Sequence, residues 1–156
     1  MQKTNRRKFL GASLATGTGL TLTSSFNSTW AGVKGANTDV RVGVIGCGGK
    51  GSAHAKHLKS LKGMGVRVTG VCDPDTTALA RQKKTFADSK TNINTYTDIR
   101  KFLEDKEVDA VIIATPNHWH TLAAIWALQA GKHVYVEKPV SHNIWEGGQL
   151  VKAAEK

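Results

Sequence analysis

The residues that decide the fold read Val-Arg-Val-Gly-Val-Ile at 40–45 and Gly-Cys-Gly-Gly-Lys-Gly at 46–51. The apolar run predicts a buried strand, and the glycines after it predict a tight loop that restarts as a helix. Gly46 allows the turn, Gly48 lets the backbone approach a phosphate, and Gly51 lets helix and strand pack closely. A helix N-terminus attracts anions through its free N–H groups and partial positive charge. The pattern predicts a dinucleotide pyrophosphate site formed by Gly46, Gly48, Gly49, Lys50 and Gly51.

A carboxylate supplies the second half of this pattern. Residues 66–72 predict a second strand, and Asp73 follows it directly, 22 residues after Gly51. A carboxylate about 20 residues beyond the glycine loop accepts hydrogen bonds from the adenosine ribose hydroxyls and repels a 2′-phosphate, which favours NAD over NADP. NADP stays possible, because three basic residues follow on the next predicted helix: Arg81, Lys83 and Lys84. The alternative is that Asp73 caps this helix, which begins after Pro74.

The basic residues argue against a nucleic-acid-binding surface. The chain has 156 residues, with 22 Lys and Arg against 12 Asp and Glu, and a formal net charge of +10. Four of the basic residues fall in the first 31 positions, and the others are scattered through predicted helices. Scattered charges of this kind are typical of solvated helix faces. We therefore expect no nucleic-acid partner.

The N-terminus has the features of an export signal. Residues 4–10, Thr-Asn-Arg-Arg-Lys-Phe-Leu, resemble the twin-arginine motif, and a modestly apolar stretch follows them. Ala31 offers a small-residue cleavage site, and no run is long and apolar enough to span a bilayer. We expect a signal at 1–31, a linker at 32–38 and a folded domain at 39–156, in a periplasmic or otherwise exported protein without a membrane anchor after cleavage. The alternative is a disordered basic tail.

Strands and helices alternate along the rest of the sequence. Predicted strands are at 66–72, 94–96, 108–114 and 133–136, and predicted helices at about 51–62, 76–86, 120–129 and from about 141–143 onward. A further short helix is predicted after 94–96, capped by Thr97 or Asp98, and Trp126 is predicted to lie in the core. This order predicts a doubly wound parallel sheet, an α/β fold whose ligands bind beyond the carboxyl ends of the strands. Cys47 and Cys72 fall at two such ends, where we expect small buried residues rather than a disulfide.

Two clusters at the predicted strand ends could carry chemistry. Glu-Lys-Pro at 137–139 follows the last predicted strand, and Lys138 could hydrogen-bond a substrate hydroxyl and stabilise the alkoxide that develops during hydride transfer. The alternative is a surface lysine in an Xaa-Pro turn. Thr115 and Asn117 follow the strand before it, and His120 opens a helix near the cofactor crevice. The histidine pairs lack further ligands at suitable spacing, so we expect no metal site.

These motifs, in this order and spacing, resemble the Gfo/Idh/MocA family of oxidoreductases, which includes glucose–fructose oxidoreductase and inositol dehydrogenase. The resemblance rests on the glycine loop, Asp73, Ala-Thr-Pro-Asn-His-Trp-His at 114–120 and Glu-Lys-Pro at 137–139, and it covers residues 40–156. It implies an N-terminal Rossmann domain and a C-terminal α/β domain with an open sheet that mediates oligomerisation. That second domain is missing, so the resemblance implies a fragment, inactive alone, from a homo-oligomeric parent.

The family's activity implies oxidation of a sugar or polyol hydroxyl with NAD or NADP. By resemblance, Lys138 orients and polarises the substrate hydroxyl, and the peptide before Pro139 is often cis. The predicted cofactor-binding residues beyond the glycine loop and Asp73 are Thr115, Asn117, His120, Glu137 and Lys138. A related branch contains NAD-dependent glycosidases, which resemble the His-Trp-His segment but usually lack the lysine. A nucleotide-binding protein without turnover is a further alternative.

Overall fold

A computed structural model describes residues 39–61, 63–87 and 92–156 of the chain. The predicted export signal at 1–31 and linker at 32–38 lie outside the described residues. Strands and helices alternate in the order β1 (Val40–Ile45), α1 (Gly49–Ser60), β2 (Val66–Cys72), α2 (Thr76–Phe86), β3 (Asn94–Tyr96), α3 (Ile99–Leu103), β4 (Ala110–Ile113), a 3₁₀ turn (Asn117–Trp119), α4 (His120–Gln129), β5 (His133–Val136) and α5 (Ile144–Ala154). No helix in this described part of the chain is long and apolar enough to cross a membrane.

The five described strands form one parallel sheet in the order β3-β2-β1-β4-β5. This confirms the predicted doubly wound α/β fold, because strands are added outward first on one side of β1 and then on the other. Gly43 of the central strand pairs with Gly70 of β2 and with Val111 of β4. The winding reverses between β1 and β4, and in such sheets ligands bind in the crevice beyond the carboxyl ends at that reversal.

Helices cover both faces of the sheet, which explains why its strands are almost continuously apolar. Alternate residues of β1 serve opposite faces. Val42 and Val44 belong to one buried cluster, together with residues of α1 and α2 such as Ala55, Leu79 and Phe86. Ile45 belongs to a second cluster, with members from α3, β4 and α4: Phe102, Val111, Ile113, Ala123, Ala124 and Ala127. The core is therefore divided into two layers by the sheet.

The Phe102 ring of α3 packs against β1 and β2 at a point where both strands have glycine and so no side chain fills the space. The ring is fully buried against Gly43 and Gly70, which are paired neighbours on β1 and β2. A Cβ atom on Gly70 would lie 2.9 Å from the ring, and one on Gly43 would overlap it. The Tyr96 ring packs beside Phe102, with 5.4 Å between the ring centroids. These glycines therefore serve the packing of α3 and not the phosphate loop.

Local signals explain most of the helix ends. Asp75, Asp98 and Asn143 cap α2, α3 and α5, because each side chain accepts a hydrogen bond from a backbone N–H of the first helical turn. Gly131, at a φ of +70°, follows the last residues of α4, and its N–H donates to the carbonyl of Leu128. Glycine is favoured at this position because other residues rarely adopt a positive φ.

Two predicted bounds were wrong. α1 begins at Gly49 and not at 51, because Gly48 is its N-cap, and it ends at Ser60. β4 covers only four residues of the predicted 108–114. Just before it, Asp109 still makes backbone hydrogen bonds to Arg41 and His133, and its carboxylate accepts hydrogen bonds from the backbone N–H and the guanidinium of Arg41 at 2.6–3.2 Å. Periodicity alone does not reveal either the cap or this side-chain pairing.

Backbone packs directly on backbone where α1 meets the turn after β1. Gly46 has a φ of +88°, which residues with a side chain rarely adopt. A Cβ atom on Gly46 would also lie 2.7 Å from the backbone nitrogen of Thr115. On Gly51, a Cβ atom would overlap the carbonyl oxygen of Gly46. These two glycines have the structural roles that the motif predicts, a tight turn and a close helix–strand contact.

Replacing Gly51 by alanine should destabilise the domain, because the new methyl group meets a backbone carbonyl and not a movable side chain. We expect Gly51→Ala to lower the free energy of unfolding by about 1–3 kcal/mol or more. Gly49→Ala is the matched control, since nothing lies within 4 Å of its Cβ position in the same helix. That change should alter the free energy by less than about 1 kcal/mol. Urea unfolding followed by circular dichroism compares them, and equal losses would contradict the close contact.

Candidate active site

A cleft of about 740 Å³ opens beyond the carboxyl ends of β1, β2, β3 and β4. This volume is typical of sites for small molecules and cofactors. Each of these four strands contributes a wall through the residues that follow it. The main lining groups are Gly46 and Gly48, Asp73 to Asp75, Thr97 to Arg100, and Ala114 to Pro116, with Arg81, His118, Trp119 and Trp126. The cleft lies at the crevice that the sheet order predicts.

Asp73 connects the end of β2 to the glycine loop. Its Oδ2 accepts a hydrogen bond of 2.6 Å from the N–H of Cys47, and its Oδ1 accepts one of 2.8 Å from the N–H of Asp75. Asp73 is therefore not the cap of α2, because Asp75 caps that helix through the N–H of Thr77. Each carboxylate oxygen retains a second acceptor position. Asp73 can therefore keep its hydrogen bond to the glycine loop and accept hydrogen bonds from ribose hydroxyls at the same time.

The start of α1 presents backbone without side chains. Gly48 offers no capping side chain, and the first turn of α1 contains no acidic residue. Nothing lies within 4 Å of the Cβ positions of Gly48 and Gly49, so an anion can approach this backbone closely. Lys50 is exposed beside them. The N–H groups, the helix dipole and the nearby ammonium all favour a phosphate group here.

The residues of the segment after β4 differ in whether they line the cleft. Thr115 lines the cleft, and its Oγ1 is buried without a hydrogen-bond partner among the described residues. Buried polar groups are normally satisfied, so this hydroxyl is suited to a bound ligand or water. Asn117 begins the 3₁₀ turn and is not part of the cleft wall. The next two residues along the chain, His118 and Trp119, are exposed and line the cleft.

His120 lies behind the cleft wall and not in it. The side chain is 2 % exposed. Its Nδ1 is 2.7 Å from the carbonyl oxygen of Pro139, and its Nε2 is 2.7 Å from that of Thr115. Both ring nitrogens are thus engaged by backbone from two different strand ends. The ring joins the segment after β4 to the segment after β5.

Glu137 is tied to α1. Its Oε1 lies 2.7 Å from Nε2 of His54, and its Oε2 accepts a hydrogen bond of 3.2 Å from the N–H of Lys138. The hydrogen bond from His54 is the main reason that the pKa of Glu137 lies below its ordinary value. The His54 ring also packs edge-on against Tyr135 of β5, with 5.8 Å between centroids. Glu137 therefore joins the nucleotide-binding helix to the end of β5.

Lys138 is exposed, as are the two residues that follow it. Its ammonium group makes no hydrogen bond or ion pair with any residue that the structure describes. The peptide between Lys138 and Pro139 is cis, as the family resemblance implies. Lys138 stands at the carboxyl edge of the sheet, outside the cleft lining. Its ammonium group is thus available to a ligand at that edge.

One wall of the cleft was not predicted from the sequence. The turn from Thr97 to Arg100 forms the wall after β3, although only its capping role was predicted. Hydrogen bonds from Arg100 hold the pKa of Asp98 at about 2, so this wall is charged at neutral pH. Trp126, expected in the core, packs against the buried cluster formed by α3, β4 and α4, and it also lines the cleft.

The two cysteines behave as the sequence predicts. Cys47 and Cys72 are free and buried, and the Cys47 Sγ lies 3.7 Å from the carbonyl oxygen of Cys72. Burial raises the pKa of each thiol to about 12, so both stay uncharged at neutral pH.

The described residues contain no group of three or more His, Cys, Asp or Glu that could hold a metal ion.

The sheet order, the glycine turn at the start of α1 and the carboxylate at the end of β2 define a dinucleotide-binding Rossmann domain. Residues 40–156 match the Gfo/Idh/MocA family model, described as an oxidoreductase family with an NAD-binding Rossmann fold. The chain belongs to this family, and its cofactor is NAD. Three features fit such a ligand: the free space at the Cβ positions of Gly48 and Gly49, the placement of Asp73, and the Thr115 hydroxyl, which has no hydrogen-bond partner among the described residues.

The proteins and solved structures that the chain is similar to have two kinds of name, glycosyl hydrolase and dehydrogenase. The chain is 35% identical over 170 residues to glycosyl hydrolase family 109 protein 2 of Shewanella sp. (strain ANA-3), covering 97% of this chain and 37% of that protein. Apo scyllo-inositol dehydrogenase from Lactobacillus casei has the same fold, with a TM-score of 0.70, 23% identity, and coverage of 78% of this chain and 34% of that one. The WlbA dehydrogenase from Bordetella pertussis, in complex with NADH and UDP-GlcNAcA, gives a TM-score of 0.65 at 29% identity, covering 75% and 34%.

Removing His54 should restore the ordinary acidity of Glu137. We expect His54→Ala to raise the pKa of Glu137, because the hydrogen bond from His54 is the main cause of its lowering. A lowered pKa in the native state stabilises the fold above the ordinary carboxyl pKa, and this stabilisation is lost as the pH falls through the native value. His54→Ala should therefore weaken the dependence of stability on pH in the acidic range.

Carboxyl-carbon NMR titration of Glu137 measures the effect directly. His57→Ala is the matched control, since His57 is exposed on the same helix and the change in helix propensity is identical. A Glu137 pKa that does not move in His54→Ala, or that moves equally in His57→Ala, would contradict the pairing.

Proposed function

We propose that this chain is the cofactor-binding domain of an NAD-dependent oxidoreductase that acts on a hydroxyl group of a sugar or polyol. The observation that carries the proposal is the position of Lys138, whose ammonium group has no partner among the described residues and stands at the same sheet edge as the nucleotide cleft. The chain spans 37% of the length of the Shewanella relative, so the substrate and the complete activity concern a protein of that length.

Each part of the site has a separate task in this proposal. The N-terminus of α1 binds the pyrophosphate through backbone N–H groups, and the Asp73 carboxylate accepts hydrogen bonds from the adenosine ribose hydroxyls. A bound NAD would supply the hydride acceptor at this site. Lys138 donates a hydrogen bond to the substrate hydroxyl and stabilises the negative charge that develops on its oxygen as the hydroxyl proton passes to water or another base. The solved neighbours named for scyllo-inositol and for a UDP-sugar support a polyhydroxylated substrate.

A second candidate function is NAD-dependent glycoside hydrolysis, in which the sugar is oxidised transiently and the hydride returns to it. The observation that favours it is the 35% identity to a protein named as a glycosyl hydrolase of family 109. Lys138 favours the dehydrogenase, because glycosidases of this kind usually lack the lysine. The two functions share the cofactor site and differ in whether reduced cofactor accumulates.

Binding of NAD should depend on the Asp73 carboxylate. We expect Asp73→Ala to weaken NAD binding at least about tenfold, because hydrogen bonds to a charged group contribute roughly 1.5–3 kcal/mol each. Glu104→Gln is the control, since it removes one carboxylate charge from an exposed position away from the cleft. Isothermal titration of NAD and NADP into the 156-residue chain tests both variants. Equal affinity of Asp73→Ala and the unchanged chain would refute the ribose contact.

The reaction class is tested with a protein that carries this chain at the full length of its relatives. With sugars or polyols and NAD, we expect substrate-dependent accumulation of NADH. Lys138→Ala should lower kcat at least about a hundredfold, whereas Lys106→Ala, at an exposed position far from the cleft, should not. Release of the aglycone from an aryl glycoside without net NADH would support the glycosidase instead.

A further inference from the structure

Cys47 of the glycine loop is held at both of its polar backbone atoms by side chains of neighbouring elements. Its N–H donates to Oδ2 of Asp73 at 2.6 Å, and its carbonyl oxygen accepts a hydrogen bond of 2.9 Å from the Ser52 hydroxyl. Ser52 lies near the start of α1, and its backbone N–H donates to the carbonyl of Gly48 at 2.8 Å. Ser52 therefore binds the carbonyls of two successive loop residues.

The Ser52 hydroxyl in turn receives a hydrogen bond from α2. Nε2 of Gln82 lies 2.7 Å from Oγ of Ser52, and Gln82 is 2 % exposed. The Cys47 carbonyl can only accept, so the hydroxyl hydrogen of Ser52 goes to that carbonyl and Ser52 offers Gln82 an acceptor. The Gln82 amide therefore turns its NH₂ group toward Ser52, and its Oε1 is left buried without a hydrogen-bond partner among the described residues. The result is a directed chain of hydrogen bonds from α2 to the glycine loop.

The direction of the Cys47 carbonyl fixes the direction of the next N–H. A trans peptide is planar, and its C=O and N–H point to opposite sides. Because the Cys47 and Gly48 carbonyls are both bonded to Ser52, the N–H groups of Gly48 and Gly49 point away from Ser52. Neither N–H makes a hydrogen bond within the described part of the chain, and nothing lies within 4 Å of either Cβ position. These are the N–H groups that the loop offers to a phosphate.

We propose that Ser52 and Gln82 are positioning residues for the pyrophosphate of the bound dinucleotide. Gln82 orients the Ser52 hydroxyl, Ser52 orients the Cys47 carbonyl, and the Gly48 N–H is thereby held in the orientation that receives a phosphate oxygen. A peptide fixed before binding loses less conformational freedom when the ligand arrives, and affinity rises accordingly. The inference deepens the nucleotide-binding part of the proposed function and does not depend on the reaction at Lys138.

Binding of ADP and of adenosine to the 156-residue chain tests the positioning role, because ADP carries the two phosphates and adenosine carries none. We expect Ser52→Ala and Gln82→Met each to weaken ADP binding at least about fivefold and to leave adenosine binding unchanged in an NMR titration. Ser60→Ala is the matched control, since this exposed serine of the same helix donates to the carbonyl of His57 at 2.6 Å. It should change neither affinity.

Three results of that titration would overturn the proposal. They are an unchanged ADP affinity in both variants, equal losses for ADP and adenosine, and no binding of ADP to the unchanged chain. Equal losses would mean that the two residues only support the fold. Thermal unfolding checks that Gln82→Met is folded, and Ser52→Ala, which introduces a good helix former, decides the question if it is not.

The orientation of the loop has a readout that needs no nucleotide. Loss of the hydrogen bond to the Cys47 carbonyl should move its carbonyl-carbon resonance upfield in Ser52→Ala, and the Gly48 amide resonance should shift with it. Gln82→Met should move both resonances in the same direction by less, and Ser60→Ala should move neither. A Cys47 carbonyl that stays in place in Ser52→Ala would exclude the relay. If Lys138 proves to have no role in a reaction, these results stand, so the two proposals fail separately.

Discussion

The rest of the structure depends on the contact between α1 and the turn after β1, where backbone meets backbone. No side chain fits between Gly51 and the carbonyl of Gly46, and Gly46 itself needs a positive φ. This contact brings the N-terminus of α1 to the crevice between β1 and β4, where the sheet reverses its winding. Asp73 then bonds to the N–H of Cys47 and fixes the loop from the neighbouring strand. A phosphate-binding helix end and a ribose-binding carboxylate are thus placed by the same few contacts.

A second set of contacts connects this nucleotide-binding loop to the segment that carries Lys138. His54, on the helix that begins at the loop, holds Glu137, and α4 holds the carbonyls of Pro139 and Val140. The segment is thereby fixed on both sides of Lys138, while the lysine side chain stays exposed. Such an arrangement suits a residue that must present one charged group at a defined place. It also explains why Glu137 and His120, expected to line the cofactor, are instead occupied with other parts of the chain.

Much of the fold could be predicted because its signals are local. The bounds of α2, β3, α4 and β5 agree with the predictions, since apolar periodicity and the Gly131 stop lie within the elements themselves. The parallel, doubly wound character of the sheet followed from the alternation of strands and helices. The predicted cofactor residues that line the cleft lie in or directly after a strand-end motif: Gly46, Gly48, Asp73 and Thr115. The bond between His54 and Glu137 joins residues 83 positions apart, and no local pattern indicates it. The same holds for the two carbonyls on His120 and for the wall formed by Thr97 to Arg100, which exist only after packing.

The measurement that tests this account most directly is a crystal structure of the chain with NAD bound. The account predicts the pyrophosphate at the backbone of Gly48 and Gly49, and the adenosine ribose hydroxyls within hydrogen-bond distance of the Asp73 carboxylate. It also predicts that Asp73 keeps its bond to Cys47 when the nucleotide is present. A nucleotide bound elsewhere on the domain, or bound in the cleft with its ribose away from Asp73, would contradict it.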